Sequence, residues 1–349
     1  MQKRLQVLTI GIYLGYAQGI GNLLVGGSGY MQIRNIDVPV DIWGELEPYL
    51  DHFREWKIRG DKFQCTSCFR HEKHASMAIN LETGLWIDSG APTDQYHKGN
   101  FVSLLAYLRQ EEYQDTEMYL FQAYHVMLEE VDSLQLKIDL QGESEVGVTY
   151  DWFKDFPHLQ FRHPYLLNRG ITKEVQRLFC VGFDREHEAV AMPWFNMDKK
   201  VINVKYRSIR YKQFFYLQDG QLTRNYVYGL PQCKSLGYKD VAIVESEIDC
   251  MYLWSNGIPA VAMGHAGINK NQIQLLLNVG IETVTFASDN DEAGERFRVE
   301  MRKKLPKLFT CYELEIPYMY KDVNDIPQKE LKQLQENRRY SDISLSIRL

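Results

Sequence analysis

Acidic residues recur at three places in the C-terminal part of this 349-residue chain, each time just after an apolar run. Glu245 follows Val241–Val244, and Asp249 comes one helical turn later. Asp289 and Asp291 follow Ile281–Ala287, while Asp322 and Asp325 follow the alternating Tyr312, Leu314 and Ile316. A single acid after a strand is ordinarily a helix cap or a solvated loop residue, and Asp291 with Glu292 can simply start the helix behind them. Three groups at three successive strand ends are harder to assign that way. Carboxylates brought together repel one another, and a bound cation is the usual resolution. Hard oxygen ligands select Mg²⁺ or Mn²⁺, and two such ions can activate a hydroxyl and stabilise the leaving oxygen in phosphoryl transfer.

The elements that must position these acids follow from periodicity. Strands are predicted at 241–244, 258–263, 281–287 and 312–316. Helix faces are predicted through Ile248, Met251 and Tyr252, through 272–278, and through Ala293, Phe297 and Met301. This alternation implies a parallel α/β sheet, whose crevice lies outside the carboxyl ends of its strands. Upstream, Lys199, Lys200, Lys205, Arg207, Arg210 and Lys212 occur with no acid among them. Ile202, Val204 and Tyr206 alternate there with Asn203, Lys205 and Arg207, so a strand would bury the first set and present the second as a basic strip. Charge runs are usually solvated faces. The absence of acids here, in an acidic chain, favours phosphate binding instead.

The formal charge of −6 excludes a global basic field, so any nucleic-acid site must be local. Six scattered cysteines do not form a secreted disulfide framework, which implies a reducing cytoplasm. No apolar run is long enough to span a membrane. Residues 1–40 read as a glycine-rich extension, and patterned sequence starts only near Met31, which makes Met31 a candidate start. Residues 41–128 contain an amphipathic helix at 41–58, a compact Cys/His segment at 61–91 and a helix at 100–128. A linker is expected at 129–150, a basic region at 151–238, the α/β segment at 239–326 and a tail at 327–349. Cys65, Cys68, His71 and His74 have ligand-like spacing. A lone Cys-x-x-Cys is only a moderate zinc signal, and no second pair follows.

Several of these motifs carry a resemblance. Val244-Glu245-Ser246-Glu247-Ile248-Asp249 resembles the glutamate motif of the TOPRIM superfamily, and Asp289-Asn290-Asp291-Glu292-Ala293-Gly294 resembles its Asp-x-Asp motif. Lys321-Asp322-Val323-Asn324-Asp325 is similar to the third acidic motif of TOPRIM primases, with Asn324 where a second aspartate is usual and Asp325 the candidate substitute. Tyr165-Leu166-Leu167-Asn168-Arg169-Gly170-Ile171 and Ala191-Met192-Pro193-Trp194 resemble motifs of the core of bacterial, DnaG-like primases. Cys68-Phe69-Arg70-His71-Glu72-Lys73 resembles their zinc ribbon. The family's second Cys pair is replaced here by Trp86-Ile87-Asp88-Ser89-Gly90-Ala91.

The resemblance implies a multidomain α/β protein: a Rossmann-like TOPRIM parallel sheet, preceded by an α+β basic subdomain and a small zinc-ribbon-like β domain. It implies a DNA primase that makes short RNA primers by two-metal nucleotidyl transfer. Glu245, Asp249, Asp289, Asp291, Asp322 and Asp325 would hold two Mg²⁺ or Mn²⁺ ions, with Glu245, Asp289 and Asp291 catalytic. Arg169, Lys205, Arg207, Arg210 and Lys212 would bind nucleotide and nucleic acid. The implied partners are single-stranded DNA, ribonucleoside triphosphates, an RNA–DNA primer duplex and a replicative helicase. Zinc at Cys65, Cys68, His71 and His74, with Asp88 or His97 contributing, stands beside apolar packing by Trp86 and Phe63 as its replacement. The tail is too short for the helicase-binding domain of many bacterial primases, so the protein would either meet its helicase differently or serve a phage or mobile element. Two rivals stay open: a TOPRIM nuclease, and a non-catalytic single-strand-binding accessory protein. A topoisomerase would need a tyrosine on a large separate clamp.

Overall fold

The computed structural model describes residues 29–341, apart from 35, 92, 94, 95, 126–146, 161, 162 and 266. Residues 1–28 of the expected extension, 129–146 of the expected linker and 342–349 of the expected tail lie outside the described residues. The chain is a mixed α/β protein with several sheets.

Residues 29–40 form a hairpin of β1 (Gly29–Ile33) and β2 (Ile36–Val40). Met31, Ile33, Val38 and Val40 join one core with Phe63, Met77, Ile79 and Phe101. The helix expected at 41–58 is cut short. Helix α1 (Ile42–Leu46) gives way to a 3₁₀ segment, Glu47–His52, which has Pro48 in its first turn. Proline clashes with the preceding turn and has no N–H to continue an α-helical ladder, so the helix stops there. The chain then enters a five-stranded antiparallel sheet in sequence order: β3 (Trp56–Arg59), β4 (Lys62–Cys65), β5 (Met77–Asn80), β6 (Trp86–Asp88) and β7 (Lys98–Gly99). The single helix expected at 100–128 is two, α2 (Phe101–Arg109) and α3 (Tyr113–His125). They are separated at Gln110, which caps α2 in the left-handed conformation at φ 53°.

The middle region opens with the short helices α4 (Trp152–Asp155), α5 (Pro164–Asn168) and α6 (Lys173–Leu178). An antiparallel sheet follows in the order β11-β10-β9-β8, built from β8 (Gly182–Asp184), β9 (Ala189–Phe195), β10 (Val201–Ser208) and β11 (Phe214–Tyr216). Both of its faces are covered. Val204, Tyr206 and Phe215 lie in one core, while Met192, Trp194 and Ile202 lie in another. The N-terminal region docks along β11. The His52 ring stacks on Tyr216 with centroids 6.3 Å apart, and the Arg54 guanidinium lies 4.0 Å from the Tyr211 ring centre.

Helix α7 (Leu230–Leu236) leads into the third region. Strands β12 (Asp240–Val244), β13 (Ala260–Ala262), β14 (Thr283–Phe286) and β15 (Thr310–Glu313) are parallel in the order β13-β12-β14-β15, with β16 (Arg339–Tyr340) added antiparallel at the edge. Helices α8 (Glu247–Ser255), α9 (Lys270–Val279), α10 (Glu292–Lys304) and α11 (Gln328–Glu336) complete it. Successive residues of β12 serve opposite faces: Val241 and Ile243 pack with Phe286 and Phe297, Ala242 and Val244 with Ile248 and Met251. That is the near-continuous apolar strand of a sheet covered on both sides. The second core also contains Met192, Trp194 and Ile202, so the middle sheet and the parallel sheet share one interior. No helix among the described residues is long and apolar enough to cross a membrane.

Candidate active site

Each acidic group sits where its strand ends. Glu245 follows β12, Asp289 and Asp291 follow β14, and Asp322 lies at the end of the loop after β15. Asp249 stands in the first turn of α8, a helix that Ser246 caps by accepting the Asp249 N–H at 3.2 Å. The groups perturb one another's ionisation. Burial raises Glu245 from its ordinary 4.5 to about 7, reinforced by the Asp291 and Asp249 carboxylates. Burial likewise raises Asp289 to about 7, with Glu245, Asp322 and Asp291 adding to the effect. Asp249 is pushed well up by burial, then by Asp322 and Asp289. Asp322 is raised by burial and by Asp325. Three chain segments therefore bring negative charge to one sheet edge.

Gly294 lets the chain do this. A side chain there would meet the Asp289 carbonyl oxygen at 2.0 Å, so α10 can start directly under the Asp-x-Asp turn only with glycine. Asn290 locks the next loop. Its amide donates to the carbonyl oxygens of Ile316, Pro317 and Tyr320 at 3.1, 3.1 and 2.9 Å, and its backbone N–H donates to Lys321 O at 2.8 Å. The residue between the two aspartates thus holds the loop that delivers Asp322.

The acids are not poised alike. Asp291 caps α10 by accepting the Gly294 N–H at 2.9 Å, and Asp322 accepts the Asp325 N–H at 3.2 Å. Asp325 accepts the Lys321 N–H of its own loop at 3.1 Å. Asn324 is latched to Arg169 in both directions, at 3.1 and 3.0 Å. Neither end of this motif is thus simply a spare ligand. Among the described residues, no three acid, histidine or cysteine side chains are gathered closely enough to hold an ion as they stand. The cluster nevertheless fits a divalent cation on two counts. Oε1 of Glu245 is buried with no hydrogen-bond partner, and the raised carboxyls have no full counter-charge among themselves.

The basic residues divide. Arg207 donates through Nε to the Tyr165 hydroxyl at 2.7 Å, and Arg169 lies 5.4 Å from the same ring while its charge opposes the rise at Asp249. Arg169 borders the acidic edge, and Arg207 is joined to it through the shared Tyr165 ring. Arg210 pairs with Glu188, and Lys212 with Asp51 at 3.5 Å. Lys205 corrects the alternation argument, because both faces of β10 are buried and Lys205 is only 8% exposed. Its ammonium contacts Glu247 Oε2 at 3.0 Å, while Glu247 Oε1 accepts the Trp194 indole N–H at 3.1 Å. Burial opposes the lysine's charge, but Glu247 overrides it and holds Lys205 above its ordinary range. Lys205 joins two regions of the protein instead of facing a solvent groove. The reading from sequence missed Glu247 and Asn290. Both stand inside the quoted motifs, but their partners are remote in sequence.

The four zinc candidates diverge. Cys65 and Cys68 are fully buried thiols, pushed well up by burial. The His71 ring faces His187, with centroids 5.4 Å apart, and His74 is exposed. Asp88 binds Arg70 through both oxygens, at 2.5 and 2.9 Å. Arg70 also reaches Glu72 at 2.7 Å, and Ser76 donates to both acids. An Arg-carboxylate knot therefore cross-links the loop where the zinc set was sought. Asp88 serves that knot. His97 contributes a backbone carbonyl to the Asp88 N–H at 2.7 Å.

No curated protein matches the sequence. Among solved structures the chain is similar to the zinc-binding and RNA polymerase domains of the Aquifex aeolicus primase, at 17% identity and TM-score 0.41, covering 86% of this chain and 83% of that one. It is also similar to the E. coli primase catalytic core, at 20% identity and TM-score 0.44, covering 50% and 72%. For the primase fragment of the bacteriophage T7 primase-helicase, the identity is 19%, the TM-score 0.45 and the coverage 56% and 81%. Residues 242–326, which carry every acid of the cluster, match the Toprim-like family model.

Proposed function

We propose that this chain is a DNA primase, a nucleotidyltransferase that adds ribonucleotides to a short RNA on a single-stranded DNA template. The observation that carries the reading is the acidic edge: carboxyls from three segments, raised by burial and by one another, with one buried oxygen unpaired. Such an edge needs divalent cations, and Glu245, Asp249, Asp289, Asp291 and Asp322 are the residues that would hold them. When bound, Mg²⁺ or Mn²⁺ would supply Lewis acidity at the attacking 3′-hydroxyl and charge neutralisation at the leaving pyrophosphate.

The protein's own groups do the positioning. Arg169 and Arg207, set around the Tyr165 ring, offer guanidinium donors to phosphate oxygens beside the acids. Asn324 fixes Arg169 to the loop carrying Asp322, so phosphate grip and metal ligands move as one unit. The Glu247–Lys205–Trp194 contact holds the middle sheet rigidly against α8, behind Glu245. Arg210 and Lys212, in the exposed turn between β10 and β11, would reach the template backbone after leaving their surface ion pairs, which are worth little. Such contacts are to backbone, without base preference. A cytoplasmic setting and a helicase partner belong to the same reading.

The test is primer synthesis. Purified protein is incubated with single-stranded DNA, labelled ribonucleotides and Mg²⁺ or Mn²⁺, beside Glu245→Gln. Short RNA made by the wild type and lost in the variant is the expected result. Strand cleavage without nucleotides would replace this reading with a nuclease, and neither activity would leave a binding protein.

A further inference from the structure

The loop that delivers Asp322 ends in an exposed aromatic tip. Tyr320 N–H bonds back to the Pro317 carbonyl at 2.9 Å, which makes Pro317–Tyr320 a tight turn with Tyr318 and Met319 at its centre. Tyr318 is 91% exposed and Met319 63% exposed. The carbonyls of Ile316, Pro317 and Tyr320 all turn inward to the Asn290 amide. Below, the Tyr320 hydroxyl donates to Glu330 at 2.8 Å. The backbone under the tip is therefore held at several points, and the two central side chains project from it.

Single exposed apolar residues are common and need no explanation. This pair differs in its setting. Its anchor is the residue between Asp289 and Asp291, and the chain leaves the turn directly into Lys321 and Asp322. A tyrosine ring with one fixed support and both faces open matches the platform on which unpaired nucleobases stack. The neighbouring thioether adds a polarisable surface.

We propose that Tyr318, with Met319 beside it, is a stacking platform for an unpaired base of the nucleic-acid strand that enters the acidic edge. This rests on the primase reading and adds to it a base-contacting, sequence-tolerant element. The phosphate-binding arginines act on the backbone. Tyr318 acts on a base face, and it holds the strand by contacts that salt does not screen.

The experiment measures binding of the full chain, with Mg²⁺ present, to fluorescent oligo(dT) and to an abasic strand of the same length. Wild type should prefer oligo(dT). Tyr318→Ala should bind oligo(dT) about tenfold more weakly, the scale of one lost base stack, while binding the abasic strand as before. Tyr318→Phe should restore affinity, and oligo(dT) should quench the indole introduced by Tyr318→Trp. Equal binding of oligo(dT) by wild type and Tyr318→Ala, or an unquenched indole, would overturn the platform and leave the tip to a protein partner. Primer synthesis measured on the same samples separates the two levels. A wild type that makes primers while Tyr318→Ala makes them at an unchanged KM for template sinks only the platform, whereas a wild type that neither binds strands nor makes primers sinks both.

Discussion

The acidic edge and the Cys/His segment are both polar clusters beside short strands, and they balance their charge in opposite ways. Around Asp88 and Glu72 every carboxylate has a partner within the protein. Arg70 and Ser76 satisfy them, and the Asp88 carboxyl is held below its usual range by the hydrogen bonds of Arg70, Ser67 and Ser76, which outweigh its burial. Around Glu245 and Asp289 the carboxyls face one another, burial and repulsion push both to about 7, and one oxygen is left over. The first cluster is closed and complete. The second is opposed only in part, by Arg296, Lys321 and Arg169, and on the proposed reading a divalent cation completes it. On the proposed reading, the cluster whose carboxyls the fold leaves repelled is the working site, and the one it neutralises is a structural joint.

Substitution should separate the two. Glu245→Gln or Asp289→Asn should lower primer synthesis at least a hundredfold, on the order of several kcal/mol of transition-state stabilisation. The same changes should raise the melting temperature of the metal-free protein, because each removes a buried, repelled carboxylate. Arg70→Ala should do the reverse. It leaves Asp88 buried without its cation and should cost about 3 kcal/mol in denaturant unfolding. Primer synthesis per folded molecule should fall far less than in Glu245→Gln.

Acidity gives a second contrast, of smaller size. Folding raises Glu245 and Asp289, so the fold is unpenalised below about pH 4, where the unfolded chain is also protonated, and loses stability as pH climbs to about 7. Folding depresses Asp88, so its contribution is present above its ordinary value near 3.8 and is lost as pH falls through the lower folded value. Metal-free melting curves across pH should show a decline towards neutrality that Asp289→Asn flattens, and an acid-side loss that Arg70→Ala removes. Adding Mg²⁺ should raise the melting temperature more at pH 8 than at pH 5.

The sequence showed most of the edge and little of the joint, for a physical reason. Strand ends are local features. Apolar runs at 241–244 and 281–287 place Glu245, Asp289 and Asp291 almost without reference to the rest of the chain, and the observed strands Asp240–Val244 and Thr283–Phe286 lie there. The cradle of Asn290, the latch of Asn324 on Arg169 and the pairing of Lys205 with Glu247 depend on residues that are remote in sequence. Period-two alternation correctly made β10 a strand. It could not show that a second layer covers the face carrying Lys205. Cys-x-x-Cys spacing raised zinc as one option, but it gave no sign that His71 turns to His187 or that Arg70 takes the central place. The helix at 41–58 failed at Pro48, a signal that was present and outweighed by the apolar spacing around it.

The most direct test of the central claim is a Mn²⁺ titration of the purified full chain followed by electron paramagnetic resonance, on wild type, Asp289→Asn and Arg70→Ala. The account predicts that wild type and folded Arg70→Ala take Mn²⁺ out of solution, that Asp289→Asn does so much more weakly, and that Mg²⁺ competes. Equal Mn²⁺ binding by wild type and Asp289→Asn, or none by wild type at neutral pH, would contradict it.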